Sequence, residues 1–159
     1  MPRHWITNGS NRLEPIVNPI AAACEAGYVP TDVHLLSNST IEGITDAAPS
    51  LIKTVVTAAG GEEPDVSVST VEPETDFAGI VTYLNEAIDA AESDNGEIAI
   101  DITPGRKFWS VISFQVGVTR DVDHLYYILL DGDYFGESYP TIPRTAIDLY
   151  DFTEEIDAS

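Results

Sequence analysis

The sequence predicts an α/β domain with a Rossmann-like, doubly wound, mostly parallel sheet that ends in a two-strand extension. Three observations predict it. Short β-type runs alternate with longer helical ones along the chain. The fourth run, Ile98-Ala99-Ile100, is wholly apolar, as a strand covered on both faces is. Polar or glycine-bearing turns separate the runs, and nothing in the chain repeats.

Taken in order, the first strand covers roughly His4 to Thr7, and the polar turn Asn8-Gly9-Ser10-Asn11 leads from it into a helix over Leu13–Ala26. Gly27 closes that helix as a glycine just past a helix end can. Asp32–Leu36 forms the second strand, Ser37-Asn38-Ser39-Thr40 the cap, and Ile41–Ala59 a helix that Pro49 should kink or split. Val66–Ser69 alternates apolar and polar, the pattern of a more exposed strand, and Phe77–Ala91 supplies the helix behind it. After the turn Asp94-Asn95-Gly96 come the fourth strand and a fourth helix, Phe108–Thr119. That helix is apolar nearly all round, through Phe108, Trp109, Val111, Ile112, Phe114, Val116 and Val118, which points to a second buried contact such as a subunit interface. His124–Leu130 is the fifth strand; Asp131-Gly132-Asp133 with Gly136 turns the chain into a sixth near Thr145–Tyr150.

The chain has 159 residues, of which 1–153 read as one ligand-binding domain and 154–159 as an acidic tail expected to fray. With 43% hydrophobic residues it can build a core, which excludes a disordered chain. Seven Lys+Arg against 27 Asp+Glu give a net charge of −20, which excludes general affinity for long nucleic acids or anionic membranes. Lysine is confined to Lys53 and Lys107, and so acidic a surface suits a proteome adapted to high salt, of the haloarchaeal kind. The lone Cys24, beside Ala21–Ala23, reads as a small buried side chain. The N-terminus has no apolar signal-peptide core, and no apolar run is long enough to span a membrane, so a soluble cytoplasmic protein is expected.

In a doubly wound sheet ligands bind where the strand order reverses, between the carboxyl ends of the first and fourth strands. This nominates Thr7-Asn8-Gly9-Ser10-Asn11 and Asp101-Ile102-Thr103-Pro104-Gly105-Arg106-Lys107. Both main segments precede helices whose free N–H groups favour an anion. Residues 61–100 hold eleven acids and no base, whereas Arg3, Arg12, Arg106, Lys107 and Arg120 fall in two charge-neutral windows, 1–30 and 101–130, that reach the expected crevice. An anionic ligand follows. The same residues also fit plain connections: Thr103 capping a helix with Pro104 at its first position, Arg106-Lys107 solvated, and Asn8-Gly9 a simple turn.

Other sites find little support. Neither a Gly-x-Gly-x-x-Gly nor a Walker-type loop is present, and no Gly-x-Ser-x-Gly elbow. His4, His34 and His124 are far apart in sequence with no Cys or His at ligand spacing, so neither metal nor cofactor is expected. Asp131-Gly132-Asp133 lacks calcium-loop spacing.

The polar turn after the first strand and Asp101-x-Thr103-x-x-x-Lys107 after the fourth, on this strand order, resemble the CRISPR-associated Rossmann-fold (CARF) domains. The resemblance spans nearly the whole chain. It implies a homodimer that binds a cyclic oligoadenylate across its two-fold axis, tetra-adenylate rather than hexa-adenylate, and in stand-alone form a ring nuclease that cleaves this messenger without metal. Lys107, Ser10 and Arg106 would then be catalytic. Thr7, Asn8, Gly9, Asn11, Ser37, Asn38, Asp101, Thr103 and Gly105 would complete the binding site, with Asp101 fixing its loop rather than acting as a base. Pro104 replaces one glycine of the family's frequent pair, which stiffens the loop. The alternatives are a non-catalytic sensor of the messenger and an unrelated domain for a small anionic ligand.

Overall fold

The computed structural model describes residues 1–156. Six strands form one sheet in the order β3-β2-β1-β4-β5-β6: β1 (Arg3–Asn8), β2 (Asp32–Ser37), β3 (Asp65–Thr70), β4 (Glu97–Asp101), β5 (His124–Leu130) and β6 (Ile147–Asp151). All neighbours are parallel except β5 and β6, where the chain returns antiparallel. The predicted fold class is the observed one, with β5 part of the parallel run and β6 alone reversed.

Helices cover both faces. On one side α1 (Glu14–Glu25) and α2 (Glu42–Ala58) pack on Trp5, Val33, Leu35 and Ala99; on the other, α3 (Phe77–Ser93) and α4 (Lys107–Thr119) pack on Ile6, Leu36, Ile98 and Ile100. The alternation of side chains along β1 divides the two cores, since Trp5 and Thr7 face one way and His4, Ile6 and Asn8 the other. β1 is buried from His4 to Asn8, as the central strand of a two-faced sheet must be. β3 is largely exposed, in keeping with its polar alternation and edge position.

Two expectations are corrected in part. Pro49 does not split its helix: α2 runs unbroken from Glu42 to Ala58, and α1 likewise carries Pro19. The missing N–H is tolerated because Ala48, Ile52 and Val56 are buried against the sheet, so tertiary packing offsets the local cost. Nor is the segment after β6 frayed throughout. Phe152–Glu155 makes one helical turn, α5, capped by the Asp151 carboxylate, which accepts the Thr153 N–H (3.1 Å). Asp157 lies outside the described residues.

Only part of the apolar girdle of α4 is inward. Trp109 and Val116 are buried, whereas Val111 and Val118 are 67% and 55% exposed. Phe77 (51% exposed) and Val81 of α3 are also open to solvent, and the Phe77 ring meets Phe108 of α4 edge to face at 5.6 Å. Exposed apolar side chains therefore stand on both α3 and α4.

Candidate functional site

The chain builds outward through β2 and β3, then crosses to place β4 on the other flank of β1, so the order reverses between β1 and β4. At the carboxyl ends of these strands lies a cavity of about 460 Å³. Gly9, Ser10 and Asn11 line it from the loop after β1; Asn38, Thr40 and Ile41 from the segment after β2. Glu74 enters from the loop after β3, and Gly105, Arg106 and Trp109 from the loop after β4 and the first turn of α4.

Two glycines let these loops meet. A Cβ on Gly9 would lie 2.6 Å from the Leu36 carbonyl oxygen and 2.8 Å from Thr45 Cγ2. Gly105 adopts φ +94°, and a Cβ there would come 3.0 Å from the Gly9 carbonyl oxygen and 3.1 Å from the Trp109 ring. A side chain at either position would separate the two walls.

The polar groups beneath are fixed rather than free. Asn38 accepts from Thr40 N–H (3.0 Å) and donates to the Val71 carbonyl (2.8 Å), tying the end of β2 to the residue after β3. Ser37 is buried on the Thr45 hydroxyl. Asn8 donates to Ser113 of α4 at 3.1 Å. Asp101 is fully buried: one oxygen accepts the Thr103 N–H (2.9 Å), the other the Thr7 hydroxyl (3.3 Å). Burial raises its carboxyl to about 7, against the pull of these hydrogen bonds. Thr7, Asn8, Ser37 and Asp101 thus form the floor under the cavity, and none of them lines it.

Thr103 is not a helix cap. α4 starts at Lys107, behind Arg106 in extended conformation, and the Thr103 hydroxyl accepts the Ile128 N–H of β5 at 3.0 Å. The loop therefore bulges over residues 102–106 and presents Gly105 and Arg106 to the crevice. Lys107 is exposed at the start of α4 beside the cavity, not in its lining, and among the described residues no ion pair holds it.

Charge is less concentrated here than the sequence windows predict. Arg106 lines the cavity, and Glu74 faces it at 3.5 Å. Arg3 opens β1 and pairs with Glu97 (3.2 Å), while Arg120 ends α4 and pairs with Asp89 (2.7 Å); both lie at the opposite end of the sheet. Arg12 stacks on Phe135 and pairs with Glu14. Of the five bases in the neutral windows, Arg106 lines the crevice and Lys107 borders it.

Sequence reasoning missed Glu74, Thr40, Ile41 and Trp109. Glu74 is anchored by Trp109, whose indole N–H donates to the Glu74 carbonyl at 2.8 Å. A second, larger groove of about 720 Å³ runs between α1 and α2, lined mainly by aliphatic side chains such as Leu13, Val17, Leu51 and Val55. It lies away from the strand ends. Cys24 borders it, and burial raises this thiol to about 11, which removes it as a nucleophile at neutral pH.

No protein-family model matches the chain, and no curated protein does. Solved structures do. Enterococcus italicus Csm6 bound to cyclic hexa-2'-fluoro-hexa-dAMP matches 88% of the chain at 16% identity and a TM-score of 0.61, using 36% of its own length. A type III CRISPR defence DNA nuclease activated by cyclic oligoadenylate matches 84% at 17% identity and 0.56, over 19% of its length. Can2 from Sulfobacillus thermosulfidooxidans, in complex with cyclic tetra-adenylate, matches 79% at 14% identity and 0.53, over 31% of its length. The chain shares its fold with a part of each, and spans about a third or less of them. No helix among the described residues is long and apolar enough to cross a membrane.

Proposed function

We propose that this chain binds a cyclic oligoadenylate, the second messenger of type III CRISPR defence, in the cavity between β1 and β4. The observation that carries the reading is this polar cavity at the strand-order reversal, walled by Gly9, Ser10, Gly105 and Arg106, on a fold shared with proteins solved with or activated by such rings. About 460 Å³ suits a ligand of drug size, so a ring of four or more nucleotides overflows one cavity. A homodimer sharing the ring across its axis meets that demand, and the exposed Phe77, Val81, Val111 and Val118 offer apolar surface for it. A ring of four matches two such cavities better than a larger one. The setting is a cytoplasm rich in salt.

The reaction is ring cleavage without metal. A ribose 2′-hydroxyl attacks its own phosphodiester in line, the 5′-oxygen leaves, and a 2′,3′-cyclic phosphate closes. The protein holds the sugar in line and stabilises charge on the phosphorane oxygens. Arg106 and Lys107 meet the phosphate; Ser10 and Asn11, with the Gly9 and Gly105 backbone, orient the ribose. Asp101 and Thr103 hold the loop.

One observation favours the second reading, a sensor that binds without cleaving. Arg106 is already paired with Glu74, and Lys107 stands beside the cavity instead of in it. Incubation of the protein with cyclic tetra- and hexa-adenylate in molar potassium chloride, resolved by chromatography, separates the readings. Linear product carrying a 2′,3′-cyclic phosphate is expected. Tight binding with no product after hours at excess protein leaves the sensor; neither binding nor product overturns both.

A further inference from the structure

At the opposite end of the sheet the fold assembles a cluster that the sequence does not reveal. In-register pairing of β1 with β2 sets His4 beside Asp32 and Ile6 beside His34, so the two imidazoles share the α3 side of the sheet. They stack at 5.2 Å, and His4 Nδ1 lies 2.9 Å from His34 Nε2. The far nitrogen of His4, Nε2, is 3.0 Å from Asp94 Oδ2 and 3.8 Å from Asp32 Oδ2. One ligand atom from each of His4, Asp32 and Asp94 lies within 4.8 Å of the other two. The expectation of no histidine partner is corrected here: strand pairing brings together residues thirty positions apart.

We propose that His4, Asp32 and Asp94 bind a divalent transition-metal ion of the zinc class, with water at the remaining position. The donor set, one imidazole and two carboxylates, suits such an ion better than magnesium or calcium. Ligand atoms around a tetrahedral ion at about 2.1 Å stand about 3.4 Å apart. The distances of 3.0 and 3.8 Å bracket that value.

The surroundings fit the role. His4 is 3% exposed and fixed in β1, while Asp32 and Asp94 remain open enough to admit an ion. His34 supplies the outer contact that orients a ligating imidazole. When His34 donates Nδ1–H to Ser67 Oγ (3.4 Å), its Nε2 accepts from His4 Nδ1–H, and the His4 Nε2 lone pair points at the two carboxylates. Gly96 keeps the approach open, because a Cβ there would lie 2.8 Å from Asp94 Oδ1 and from His4 Cδ2. Asp94 closes α3 ahead of the turn into β4, so an ion would staple β1, β2 and this turn. The site is remote from the ring cavity and has no part in its reaction.

The test is titration of the full chain with Co²⁺ and Zn²⁺ in molar potassium chloride, which suppresses loose binding to the acidic surface. One equivalent of Co²⁺ should give a visible d–d spectrum of low-coordinate form. Zn²⁺ at about 100 times its Kd should raise Tm by roughly 5–10 °C. Asp94→Asn and Asp32→Asn, both at partly exposed positions where folding survives, should each weaken binding at least tenfold and remove most of the Tm gain. Absence of saturable binding by the native chain, or equal binding by the two variants, overturns the proposal. Neither result bears on the ring cavity.

Discussion

The buried Asp101 makes a quantitative prediction. Its carboxyl sits at about 7 against an ordinary 3.8, with burial as the dominant cause. Between those values the folded chain holds a proton that the unfolded chain has lost. Stability therefore falls as pH rises through this window, and the loss is complete above about 7. At about 1.36 kcal/mol for each tenfold change, ionisation of Asp101 costs the fold on the order of 4 kcal/mol at pH 8 and about 1.5 at pH 5. Asp101→Asn mimics the protonated state: its oxygen can accept Thr103 N–H and its amide can donate to the Thr7 hydroxyl. The variant should therefore gain on the native protein by roughly 2–3 kcal/mol between pH 5 and pH 8. Urea unfolding followed by circular dichroism at fixed molar salt measures this, and comparison of the two proteins cancels the shared repulsion among the other carboxylates. Parallel pH profiles would show that Asp101 does not take up its proton on folding, and so would a native protein that gains on the variant as pH rises.

Under the proposed reaction, Lys107→Ala should slow ring cleavage by about 10²-fold with a smaller loss of binding, as removal of a charge partner to the phosphorane does; an unchanged rate in a single-turnover assay removes Lys107 from the site. Gly9→Ala, whose Cβ meets the backbone oxygen of Leu36 at 2.6 Å, should cost about 1–3 kcal/mol and lower Tm by roughly 3–10 °C, measured by calorimetry. Glu74→Gln frees Arg106 from an exposed pair of about 0.2–1 kcal/mol, so affinity for the ring should rise by up to about fivefold in a titration, and weaker binding would show that Glu74 itself touches the ligand.

Local pattern carries far in this chain, and it fails where two distant segments meet. β5 is legible to the residue because His124–Leu130 is a continuous apolar run between turn residues. The crevice loops are legible because topology nominates them before any residue chemistry does. Charge windows mislead because each βα unit runs up the sheet and back. Arg106 and Arg120 are close in sequence yet lie at opposite ends of α4, and only the first reaches the crevice. Glu74 reads as one more solvated acid in an acidic stretch, and its place in the cavity depends on the Trp109 indole, a contact across 35 residues. The His4–His34 contact is hidden for the same reason: it requires the register of β1 on β2, which no local spacing encodes.

A net charge of −20 and the proposed anionic ligand place opposite demands on one small surface, and their balance sets a salt dependence. A basic protein loses affinity for phosphates as salt rises, because each neutralised phosphate releases a counterion. Here one arginine lines the cavity and one lysine borders it, while the remaining surface repels the ring. At about 0.1 M salt the Debye length of about 10 Å lets carboxylates well outside the cavity act on the ligand; at about 1 M it falls to about 3 Å and only contact pairs still count. Raising potassium chloride from 0.1 to 1 M should therefore leave ring affinity unchanged or increase it, provided circular dichroism shows the chain folded at both ends of the range. Fluorescence titration with a labelled cyclic tetra-adenylate measures this. A fall of tenfold or more would mean that released counterions dominate, and that the ligand meets more positive charge than Arg106 and Lys107 provide.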